Sequence, residues 1–87
     1  MFVILVYDFE EKRVAKALKI CRKYLTWVQN SVFEGEISEG NLKKLRLELK
    51  SKMDIDSDSV LIYTFHSTKF SSKEVLGKER NQPSVFF

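Results

Sequence analysis

Asp8 closes an apolar run, Phe2-Val3-Ile4-Leu5-Val6-Tyr7, and stands just before a segment carrying Lys12, Arg13, Lys16, Lys19, Arg22 and Lys23 with no acid from Lys12 to Lys23. A carboxylate beside concentrated positive charge suits metal and phosphate chemistry. Magnesium takes oxygen ligands, commonly one or two carboxylates with waters and phosphate oxygens completing the shell. Lysine and arginine neutralise a phosphate backbone without reading its sequence. Other chemistries are poorly supplied. With 1 Cys and 1 His, Cys21 and His66, the chain makes no internal disulfide and no Cys/His metal cluster. A Ser-His-Asp triad would have to recruit His66. Gly35, Gly40 and Gly77 are isolated and form no phosphate-cradling loop.

The elements that position these residues follow from periodicity. The 87 residues, 44% hydrophobic and 31% charged, suit one soluble globular domain over 1–87. No apolar stretch approaches the ~20 residues of a membrane span, and the start shows no basic leader, so a cytoplasmic protein without membrane contact is expected. The net charge of +3 is modest, but it is concentrated in the segment from Lys12 to Lys23, whereas most acids fall between Glu34 and Asp58.

Phe2 to Tyr7 reads as a buried central strand. From about Phe9 to Tyr24, Val14, Leu18, Cys21 and Leu25 recur at helical spacing, opposite a stripe of Lys12, Lys16, Lys19 and Lys23. Residues 24–28 and 31–37 read as two short strands joined around Gln29-Asn30. Ser38 caps a second helix, with Glu39 in its first turn and Leu42, Leu45 and Leu49 as its buried stripe, ending near Lys52. Asp54 to Ser59 is an acidic connector, and Val60 to Phe65 is the next strand. Residues 67–87 form a polar appendix, with Ser84-Val85-Phe86-Phe87 as a last short strand or a frayed end. The order is an α+β, ferredoxin-like βαββαβ domain, two helices covering one face of an antiparallel sheet.

Alternate residues of a strand point to opposite faces. In the first strand both sets, Phe2, Ile4 and Val6 against Val3, Leu5 and Tyr7, are apolar. Two helices cover only one face, so the other is expected to be buried in a homodimer packed sheet to sheet. The appendix folding back over that face is the alternative. Asp8 is in phase with Phe2, Ile4 and Val6. If that set forms the dimer face, one Asp8 from each chain meets the other across the axis and a shared Mg2+ is expected there. Arg13, close to Asp8, would meet a phosphate of the nucleic acid, and Lys12, Lys16, Lys19 and Lys23 would extend the contact. The competing reading makes Asp8 a helix cap, paired with Glu11. Tyr7, Phe33 and Trp27 stack on bases if exposed and belong to the core otherwise. Ser31-Val32-Phe33-Glu34-Gly35 lacks the Gly-aromatic signature of an RNA-recognition sheet. Cys21 is read as core and His66 as surface.

Val6-Tyr7-Asp8, Arg13-Val14, Lys23-Tyr24-Leu25, Trp27-Val28-Gln29-Asn30-Ser31-Val32-Phe33-Glu34-Gly35 and Lys73-Glu74-Val75-Leu76-Gly77 together resemble the second family of small CRISPR-associated proteins, across essentially the whole chain. The stretch after the first helix is the most specific part. The resemblance implies a ferredoxin-like homodimer with paired Asp8 near a magnesium ion. It implies metal-dependent endonuclease (endoribonuclease) activity on single-stranded RNA or double-stranded DNA, and a scaffold role with the integrase subunits during spacer acquisition. It further implies Tyr7, Asp8, Arg13 and Phe33 as the residues tied to nuclease activity. The chain departs from some members in carrying Trp27 where they have Arg. A non-catalytic scaffold for duplex DNA and a ferredoxin-like small-ligand regulator are the other functional readings.

Overall fold

The computed structural model describes residues 1–66 and 71–78 of the chain. Its elements run β1 (Phe2–Asp8), α1 (Glu11–Arg22), β2 (Thr26–Gln29), β3 (Val32–Glu36), α2 (Glu39–Lys52), β4 (Ser59–Phe65) and β5 (Ser71–Gly77). Among the described residues these strands form one sheet in the order β2-β3-β1-β4-β5 with antiparallel pairings. The ferredoxin-like expectation holds, with β1 in the centre as its continuous apolar run demands.

Alternation decides which face of the sheet is covered. Val3, Leu5 and Tyr7 are buried, and opposite them in register so are Phe33, Val60 and Ile62. The helices close this side with Ala17, Ile20 and Cys21 from α1 and Leu42, Leu45 and Leu49 from α2. The α2 reading is confirmed in detail: Ser38 is the N-cap, its hydroxyl accepting from the Asn41 amide at 3.1 Å, and the helix ends at Lys52. Helix α1 is shorter than its periodicity suggests. Its fully buried stripe is Ala17, Ile20 and Cys21, and Val14 and Leu18 pack beside it half-buried. Cys21 is core as expected, and burial pushes its thiol up to about 12.

The hairpin between β2 and β3 turns at Asn30, whose φ is 46, and the ladder slips between Trp27 and Gln29, so the expected bulged bend is present. The appendix is where the sequence reading needs correction. Residues 71–77, read as part of a polar tail, form an edge strand paired along all of β4, from Ser59 opposite Gly77 to Phe65 opposite Ser71. Only Leu76 in this strand is buried, so no apolar alternation announces it. The backbone of β4 supplies the partner groups instead, and polar side chains suit an edge. These residues extend the sheet and do not fold over its face. Ser84 to Phe87, read as a last short strand or a frayed end, lie outside the described residues.

Candidate functional site

Asp8 is the last residue of β1 and is exposed, opposite Ser59 in the ladder with β4. The helix-capping reading of Asp8 fails on position. Helix α1 starts at Glu11 and its N-cap residue is Glu10, whose side chain makes no capping bond. Asp8 belongs to the strand, in phase with Phe2, Ile4 and Val6, on the face opposite to Tyr7.

Among the described residues that face carries no helix. Phe2, Ile4 and Val6 are half-buried there, beside Leu61, Tyr63 and Phe65 of β4, with Val32 and Val75 across the flanking pairings. The Phe2 and Phe65 rings lie 6.5 Å apart across the β1–β4 pair, and Phe65 is 37% exposed. Asp8 therefore stands at one end of an apolar strip formed by β1 and β4, flanked by Glu34 and Glu36 of β3 and Lys73 of β5. Among the described residues no three of His, Cys, Asp or Glu are grouped to hold a metal ion within one chain.

Tyr7 and Phe33 lie on the other side of the sheet. Tyr7 is 4% exposed, stacked on Phe33 at 6.1 Å and edge-on to Phe9 at 5.8 Å. Phe33 is fully buried. Burial also raises the Tyr7 hydroxyl above its ordinary range. Neither ring is presented to a base; both belong to the core beneath the sheet. Trp27, by contrast, is 51% exposed on edge strand β2, its indole N–H donating to the Asn30 carbonyl at 3.0 Å. His66 is exposed, as expected.

Arg13 points back toward the connector before β4. Its Nε donates to Asp58 Oδ2 at 2.6 Å, and its Nη2 donates to Asp58 Oδ1 at 3.1 Å and Ser57 Oγ at 3.0 Å. Nη2 also lies 3.4 Å from the Glu10 carboxylate. The Arg13 side chain is only 14% exposed. Lys12, Lys16 and Lys19 are exposed on the outer side of α1. Lys23 is exposed too but pairs with Glu48 of α2, which also accepts from the Tyr24 hydroxyl. These two bonds hold the Glu48 carboxyl below its ordinary range.

Asp58 is the residue that sequence reasoning passed over. It is fully buried, and its carboxylate also accepts from the Glu10 amide at 2.9 Å and the Asp54 amide at 2.8 Å. The Arg13 guanidinium, with those amides, lowers its pKa to about 2 against the cost of burial. Its backbone carbonyl accepts from the Lys78 amide at 2.9 Å. Gly77 makes room for this: its φ is +82, and a Cβ there would come within 2.3 Å of the Asp58 carbonyl oxygen. The sequence signals none of this, because Asp58 and Arg13 are 45 positions apart.

The comparisons with known proteins give the family and agree with the fold. The family described as CRISPR associated protein Cas2 matches residues 1–73. A Thermotoga maritima protein named CRISPR-associated endoribonuclease Cas2 is 53% identical over 87 residues, covering 100% of both chains. A protein of the same name from Dictyoglomus turgidum is 44% identical over 82 residues, covering 94% of each. Among solved structures, one described as a crystal structure of Cas2 superposes with a TM-score of 0.74 at 40% identity, covering 100% of this chain and 98% of the other. Streptococcus pyogenes Cas2 gives 0.69 at 30% identity, covering 75% and 86%.

Proposed function

We propose, from the premise that this chain belongs to the Cas2 family of CRISPR-associated proteins, that it is a nucleic-acid-binding homodimer of spacer acquisition with magnesium-dependent endonuclease activity. Single-stranded RNA is its first expected substrate, in keeping with the relatives named endoribonuclease, and double-stranded DNA the second. The observation that carries the reading is the exposed Asp8 at the end of an apolar sheet face that no helix covers among the described residues.

A face of this kind is buried most simply by its own copy across a twofold axis. One chain offers Asp8 there without further grouped ligands among the described residues, so a second chain is needed to bring a second carboxylate. Hard oxygen donors of this kind fit magnesium. The two Asp8 carboxylates would hold the ion, and when bound it supplies an activated water and a Lewis acid at the phosphodiester. The chain's own residues do the rest. Lys12, Lys16, Lys19 and, at the end of the stripe, Lys23 bind the phosphate backbone without sequence preference. Tyr7 and Phe33 fix the β1 and β3 ends from the core side, and the apolar face keeps water from the region between the strands. The integrase subunits are the macromolecular partners of the same reading, in the cytoplasm.

Replacing Asp8 by Asn tests the proposal. Cleavage of RNA by the wild type is expected to require magnesium and to fall by at least ~10²-fold in the variant, the scale of losing a main catalytic contribution. Affinity for the same RNA in calcium is expected to stay within about twofold, since few phosphate contacts change. Absence of wild-type cleavage, or equal cleavage by both proteins, supports the second reading, a non-catalytic scaffold for duplex DNA. One observation favours that reading: Arg13 is held by Asp58, so the basic residue of α1 expected to meet a phosphate beside Asp8 is already paired within the chain.

A further inference from the structure

We infer that Asp58 and Arg13 act as one positioning unit that holds the Asp8–Glu10 segment in place, and that Arg13 serves the site through Asp58 and not by contacting phosphate. The inference rests on the proposed function above, and deepens it by assigning Asp58 a role.

The segment that leaves β1 is held on both sides. Asp8 is paired with Ser59 in the ladder, and two residues on, the Glu10 amide donates to Asp58 Oδ1 at 2.9 Å. Asp58 directly precedes Ser59, so one short stretch of chain grips the segment twice. A buried carboxylate tolerates burial only when its oxygens are satisfied. Here they receive the Glu10 and Asp54 amides together with Arg13 Nε and Nη2. Arg13 lies on the first turn of α1, three residues after Glu10, so the same ion pair fixes the helix start. The carbonyl of Asp58 is in turn held by the Lys78 amide, which anchors the unit to β5. Nε and Nη2 of this guanidinium are used by Asp58, Ser57 and Glu10, and with the side chain only 14% exposed the group faces the connector and not solvent. Both oxygens of the carboxylate are fixed, and the planar fork of Arg matches them in a way Lys does not.

The test compares Arg13→Gln, Arg13→Lys and Lys16→Gln in the full chain. RNA affinity is measured against salt concentration, cleavage by steady-state kinetics, and exchange of the Glu10 amide by NMR. For Arg13→Gln we expect an unchanged salt slope, kcat lowered about tenfold or more with KM held, and Glu10 amide exchange accelerated by at least tenfold. Arg13→Lys is expected to resemble Arg13→Gln in exchange, because a point charge does not replace the fork. Lys16→Gln is expected to lower the slope by ~0.7, one single-strand phosphate, with Glu10 exchange unchanged. A slope lowered by the same amount in Arg13→Gln overturns the inference, since Arg13 then touches phosphate. Unchanged Glu10 exchange in Arg13→Gln overturns it as well, whether or not the protein cleaves RNA. Absence of any wild-type cleavage or RNA binding removes the proposed function, while the exchange readout still decides whether the unit holds the segment.

Discussion

Asp58 shows how a side chain without a motif becomes the most constrained polar group of the described molecule. Its carboxyl is lowered from 3.8 to about 2, first by the hydrogen bond from Arg13 and then by the amides of Asp54 and Glu10, against desolvation. A folded pKa below the unfolded one stabilises the fold fully above the unfolded value, and that contribution is lost as pH falls through the folded one. Urea-unfolding midpoints should therefore hold down to about pH 4 and decline from 3.8 toward about 2, with a shallower decline in Arg13→Gln. An acid limb unaltered by that substitution would show that the pair contributes nothing to this transition. Asp8 is the contrasting residue. Its place at the end of the apolar run is legible from the sequence, as is its phase with Phe2, Ile4 and Val6. Its freedom from the cap position is not, because one or two residues of helix-start placement separate the readings and local spacing leaves that margin open.

The two helices differ in how far the sequence specifies them. Helix α2 has a hydroxyl cap, an acidic first turn and leucines at 42, 45 and 49, signals that agree with one another, and it forms where they say. Helix α1 has an apolar set broad enough for more than one buried stripe, and packing selects Ala17, Ile20 and Cys21. Ala17, Ile20 and Cys21 join Leu5 and Phe33 in one buried core. The opposite side keeps Lys12, Lys16 and Lys19 exposed. Their joint replacement by Gln should lower the slope of log affinity against log salt by ~2 for single-stranded RNA, at ~0.7 per phosphate contact. An unchanged slope would mean that the stripe is only solvated. Lys23 is a weaker contributor in this scheme because Glu48 competes for it.

At the scale of the described residues, the sheet has one face closed by helices and one whose central strands are apolar and uncovered. Ile4 and Tyr63 face each other in the β1–β4 ladder near the middle of the open side. Ile4→Asp should place a charge in the expected dimer contact, give a monomer by light scattering and abolish cleavage, with the helix content retained by circular dichroism. A variant that remains dimeric would locate the contact elsewhere. The amino-acid order by itself determined the order of the elements from β1 to β4, the central strand, the second helix and cap, the two-sided apolar character of β1 and the phase of Asp8. All of these are local periodicities or turn signals, which the chain carries within a few residues. Tertiary structure alone decided the strand at Ser71–Gly77, the burial of Tyr7 and Phe33 beneath the site, and the union of Arg13 with Asp58. The ring stack and the ion pair join groups far apart in sequence in a low-dielectric interior. The edge strand is fixed by the backbone of β4 and not by any apolar spacing of its own, so in each case the partner is taken by proximity and not by spacing along the chain.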